Sequence, residues 1–150
     1  MRLRFARQLL ITSVALAMAA AAAATPPPPP PPPRPFDDIS IAERYEAWEE
    51  SHEQIVYDAS SKLARARFAI RGEAGPDGVR VNPKVAAKDF ATARRKTLDS
   101  LRELSVIYDK ARPSASAGDL QRLKERLSWG YEWFTYTEAN TLEILNAITN

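Results

Sequence analysis

Residues 38–70, DISIAERYEAWEESHEQIVYDASSKLARARFAI, decide the fold. Ile41, Tyr45, Trp48, His52, Ile55, Ala59, Leu63, Ala66 and Ile70 return at intervals of three or four, which lines them along one side of a helix. A stripe this long must be covered by something of similar length. Ser40 with Glu43 has the spacing of a capping box, and Asp37 or Asp38 would cap slightly earlier. The helix is expected to stop near Gly72, because the next few residues hold Gly72, Gly75, Pro76 and Gly78.

Two further stretches repeat the pattern. Asn82 followed by Pro83 predicts a helix start, with a side-chain cap and then a residue whose missing N–H costs nothing there. The stripe that follows is Ala86, Phe90, Ala93, Thr97, Leu101, Leu104, Tyr108 and Ala111, and Pro113 marks the exit. A third helix is predicted from about Ala117 to Ala147, with Ser116 and Asp119 as a second capping box. Its apolar side is read as Leu120, Leu123, Leu127, Tyr131, Phe134, Leu142, Leu145 and Ile148. Gly130 interrupts this run at a propensity cost of about 1 kcal/mol, which packing must offset. Three long amphipathic helices with short loops predict an all-α, elongated up-down-up bundle of antiparallel helices. The near-heptad spacing leaves a self-associating coiled coil as the structural alternative.

The residues before this domain are of a different kind. Met1–Gln8 carries Arg2, Arg4 and Arg7 and no acid, and Leu9–Ala24 is uncharged and largely apolar. That is the layout of a secretory signal peptide, ending in small residues suited to cleavage. An uncleaved anchor is the alternative, although sixteen residues rise only about 24 Å as a helix against a hydrocarbon core of roughly 30 Å. The domain reading is therefore a leader over 1–24, a proline-rich linker over 25–36 and a helical domain over 37–150. Pro26–Pro33 is an unbroken proline run, expected to form a polyproline II rod of roughly 25 Å. It reads first as a spacer, and second as a strip for an aromatic-lined groove. Export predicts a periplasmic or secreted protein, or one held at the inner membrane by its leader.

The formal charge of +2 belongs to the leader. Without its three arginines the remainder carries 18 basic and 19 acidic residues, a balance of −1, which argues against nucleic acid as a partner. With no cysteine, the domain has neither disulfide nor thiolate chemistry. Charge is segregated along the chain: Arg34–Asp58 sums to −6, Lys62–Arg112 to +7 and the tail to −2. Acids of the first helix facing bases of the second is the internal reading. A sided surface is the functional one, with Lys88, Arg94, Arg95, Lys96 and Arg102 as an anionic-surface contact for phosphate headgroups or an acidic protein.

Catalytic signals are sparse. His52 is the only histidine, and Glu49 one turn earlier makes the pair a weak metal alternative that lacks matching ligands elsewhere. The expected role of His52 is at the edge of the core, held by Tyr131 or an acid. No nucleophile or cofactor motif is recognisable, so a noncatalytic protein without cofactors is expected. The anomaly lies in the third helix. At about 100° per residue, Trp129 and Tyr136 point roughly opposite Leu127 and Phe134, with Trp133 between the two faces. Trp129, Trp133 and Tyr136 are accordingly the expected partner-binding residues, meeting a protein, a second copy or the membrane interface. The functional expectation is an exported helical interaction or scaffold protein of the bacterial envelope. A membrane-surface protein using its leader or basic second helix, and a metal-binding bundle, are the alternatives.

Overall fold

A computed structural model describes residues 26–28 and 35–149. The leader and most of the proline run fall outside the described residues. The domain is a bundle of three long helices: α1 (Ile39–Ile70), α2 (Pro83–Ala111) and α3 (Ala117–Thr149). Its 32, 29 and 33 residues make rods of roughly 45–50 Å.

Each boundary has a local cause. Asp38 caps α1 by accepting from the backbone N–H of Ser40 at 2.8 Å and of Ile41 at 3.4 Å, so Asp38 rather than Ser40 takes the capping position. That bonding holds its carboxyl below the usual carboxylate range. At the other end, Gly72 turns left-handed at φ 69° and donates to Ala69 O, while Glu73 N–H reaches Phe68 O at 3.0 Å. This paired pattern closes the last turn, and glycine enters the left-handed region without the strain a Cβ brings. Asn82 caps α2 through Lys84 N–H at 2.9 Å, with Pro83 as the first helical residue.

The start of α3 is wired to the start of α1. Ser116 Oγ accepts from Asp119 N–H at 3.0 Å, which is one half of the expected capping box. The other half is absent, because the Asp119 carboxylate accepts from the backbone N–H groups of Asp37 at 2.9 Å and Asp38 at 3.1 Å. Asp119 is buried and ties two chain segments more than 80 residues apart in sequence. Further along, Arg126 of α3 meets Glu49 of α1 at 3.2 Å, and Arg67 of α1 meets Asn140 of α3. These pairs advance in the same direction on both helices, so α1 and α3 run parallel and α2 runs against them.

Two apolar clusters fill the bundle. One gathers Ile41, Tyr45, Trp48, Leu101, Leu104, Ala111 and Leu123; the other gathers Leu63, Ala66, Ala69, Ala86, Ala87, Phe90 and Ile144. Between them along the helices lie buried polar residues, His52, Thr97, Ser100, Thr137 and Asn140. The helix stripes of α1 and α2 largely coincide with the predicted ones. Contact is extensive between α1 and α2 and thinnest between α1 and α3, where the polar clasps just described do much of the joining.

The inner face of α3 is not the predicted stripe. Its buried residues are Asp119, Leu123, Arg126, Gly130, Thr137, Asn140 and Ile144, whereas Tyr131, Leu142 and Leu145 are exposed. The face is rotated by about a quarter turn from the hydrophobic reading. Small and polar residues occupy its centre because neighbouring side chains come very close. A Cβ on Gly130 would overlap Leu101 Cδ2 of α2. Leu120, Leu127 and Phe134 flank this face and pack partly buried on the first cluster.

Candidate functional site

Rotation of α3 changes the meaning of its aromatic residues. Trp129, Trp133 and Tyr136 are all half-buried. Trp129 and Tyr136 lie on the second flank of the buried face, about a quarter turn from its centre, and not opposite it. Tyr136 packs partly against the second apolar cluster. Trp129 belongs to neither cluster.

Trp129 is fixed from below by Arg126. The guanidinium of Arg126 stands 4.6 Å from the Trp129 ring centroid and 5.2 Å from that of Trp48, so it is shared by an outer and a core indole. Its Nε bonds Glu49 at 3.2 Å, and Glu49 also accepts from Tyr45 Oη at 2.8 Å. Burial, with Glu49 beside it, pushes the Tyr45 phenol well above its usual pKa. One terminal nitrogen of Arg126 is buried without a hydrogen-bond partner. Arg126 is only 8% exposed, which makes Glu49 and the two indole faces its main compensation for lost hydration.

On its outer side, Trp129 donates its indole N–H to the carbonyl of Pro28. Pro27 lines a shallow groove together with Ser128, Tyr131, Glu132, Thr135 and Tyr136. Ser128, Glu132 and Thr135 are spaced by four and three, so they form its floor along α3. Tyr131 stands on one side of that line, and Tyr136 with Trp129 on the other. On the far side of residues 29–34, Phe36 lies beneath the guanidinium of Arg122, 3.8 Å from ring centroid to carbon, and meets the Tyr45 ring in a tilted contact at 5.0 Å. Both described flanks of the proline segment therefore touch the bundle.

His52 is not at the core edge but inside it, at 1% exposure. Neither Tyr131 nor an acid holds it. Its Nδ1 meets Ser100 Oγ at 2.9 Å, and its ring stacks on Trp48 at 4.5 Å. Trp48 in turn donates to Ser100 O at 2.8 Å. Burial, and next the charge of Arg126, lowers the His52 pKa to about 4, so the ring is neutral near neutral pH. Glu49 and His52, the weak metal pair, are thus engaged with different partners. Among the described residues no group of three or more His, Cys, Asp or Glu is placed to hold a metal ion.

The basic cluster of α2 divides. Lys88, Arg95 and Lys96 are exposed. Arg94, expected with them, turns onto α3 instead: it bonds Thr137 Oγ1 at 3.1 Å and Phe134 O at 3.3 Å and lies 3.7 Å over the Phe134 ring. The stacking and the two acceptors reward burying its stem, and desolvation lowers its pKa. Arg102 is exposed but paired with Asp99 at 2.9 Å. Among the described residues no ion pair joins α1 with α2. Among the described residues no helix is long and apolar enough to cross a membrane.

No protein-family model matches the chain, and no curated protein or solved structure gives a significant match.

Proposed function

We propose that the chain is an exported, noncatalytic scaffold or interaction protein of the bacterial envelope, which meets its partner through the outer aromatic flank of α3. The observation that supports this reading most is the position of Trp129. A large indole sits outside both apolar clusters, held in place by a buried arginine. Fixing an aromatic side chain in advance lowers the entropy lost on binding, which is the property of a contact anchor. The basic leader and its apolar run support export.

The test is site-specific photo-crosslinking in the native envelope. A crosslinker at Trp129 is expected to capture a discrete partner, and one at Val106 on exposed α2 is not. Equal capture at the two positions would remove the α3 reading. A membrane-surface role through the leader or the second helix draws, on α2, on exposed Lys88, Arg95 and Lys96. It requires the processed chain to sediment with anionic vesicles and to be released by salt.

A further inference from the structure

A proline run differs from other extended chain in three physical respects. It holds its polyproline II shape without help, its rings present apolar faces, and its carbonyls have no neighbouring N–H to satisfy them. A surface that recognises such a run needs aromatic walls for the rings and a donor aimed at a carbonyl. The outer face of α3 has both, with Tyr131 on one side, Tyr136 and Trp129 on the other, and the Trp129 indole N–H as donor. The chain itself already supplies a ligand of that chemistry: Pro27 lies against this face, closing the groove as one of its walls, and Pro28 O accepts from Trp129.

We propose that the α3 face around Trp129 is a polyproline-binding site whose resident ligand is the chain's own Pro26–Pro28 stretch, the described start of its proline run. Pro26–Pro28 is then held on the bundle, so the chain is tethered at this point and does not leave it as a free spacer. A partner approaching Trp129 must displace it. This deepens the reading of α3 as the contact face and rests on it for the partner, but not for the tether itself.

Two features favour the chain's own run over a second copy. Phe36, on the other side of the run, is anchored on the bundle beneath Arg122, so the segment starts from the right place. A short tether also gives an effective concentration on the order of millimolar, which keeps even a weak site filled.

The experiment follows the indole N–H signals by NMR in the full-length chain, with Trp129→Phe identifying the Trp129 resonance. Replacing Pro26–Pro33 by a Gly/Ser segment of equal length is expected to speed hydrogen exchange at the Trp129 indole on the order of tenfold. The Trp48 indole, bonded to Ser100 O, keeps its exchange rate and reports that the bundle stays folded. An octaproline peptide added to the Gly/Ser chain is expected to shift Trp129, Tyr131 and Tyr136, and to leave the intact chain unshifted at the same concentration. Unchanged Trp129 exchange in the Gly/Ser chain overturns the proposal, as does an octaproline peptide that shifts nothing. Protection of Trp129 that grows with protein concentration also overturns it, because a second copy is then the occupant. If the tether is seen while crosslinking at Trp129 captures nothing, the partner reading fails and the polyproline site stands.

Discussion

Leu101 of α2 fills the space that a side chain on Gly130 of α3 would need. Both residues are buried, so neither can turn outwards to relieve an overlap. The Gly130→Ala variant gains about 1 kcal/mol of helix propensity but must push Leu101 out of a filled core, at a cost of about 1–3 kcal/mol. Net destabilisation is expected in urea titration. Combining it with Leu101→Ala should give a loss smaller than the sum of the two, because the second change removes the atoms with which the first collides.

Stability should fall as the solution is acidified, through a window set by His52. In the unfolded chain its pKa is near 6.5, and in the bundle it is about 4. The folded state resists protonation, so the contribution is complete above pH 6.5 and is lost as pH drops towards 4. The difference corresponds to roughly 3 kcal/mol. Urea midpoints measured at pH 7 and pH 4 should differ less in His52→Gln than in the parent chain. Parallel curves would mean that His52 takes up its proton without resistance.

Asp119 fastens the first turn of α3 to the chain ahead of α1. Its carboxylate offers an acceptor to each of two backbone N–H groups, those of Asp37 and Asp38. Asparagine has one acceptor oxygen, so Asp119→Asn should cost about 1–3 kcal/mol. Amide exchange should quicken at Asp37 and Asp38 and stay unchanged around Arg67 and Asn140 at the far end.

The two indoles that share Arg126 should respond in opposite ways. Trp48 belongs to the first apolar cluster, and Trp48→Ala is expected to cost about 3–5 kcal/mol. Trp129 lies outside both clusters, and Trp129→Ala should cost about 1 kcal/mol or less while weakening partner capture. Unfolding of Trp129→Ala at low urea would place that indole among the residues that hold the bundle.

Helix existence and limits were legible because their signals are local. Asn82–Pro83 and Gly72 act through the bonds of their own turns. The burial of α1 and α2 was legible because their inner faces are apolar in the ordinary way. The inner face of α3 was not, since Gly130, Thr137, Asn140 and Arg126 carry little hydrophobic signal and are buried by close approach and by specific partners. The same shift moved Tyr131 from the expected core to the wall of a groove. Arg94 looked like surface charge because sequence alone does not show that Thr137 and the Phe134 carbonyl await it. The contact of Trp129 with Pro28 joins positions 101 apart in sequence, which no local pattern reports.

The buried polar residues between the two apolar clusters also set the alignment of the rods. Leucine and alanine tolerate a slide of one helical turn, because oil meets oil in either position. His52 opposite Ser100, and Asn140 opposite Arg67, do not: a displacement of about 5.4 Å strands each of them against hydrocarbon. The bundle therefore has a single seating, like a key whose notches admit one depth, and the groove on α3 is always presented at the same height above the end from which the proline segment emerges.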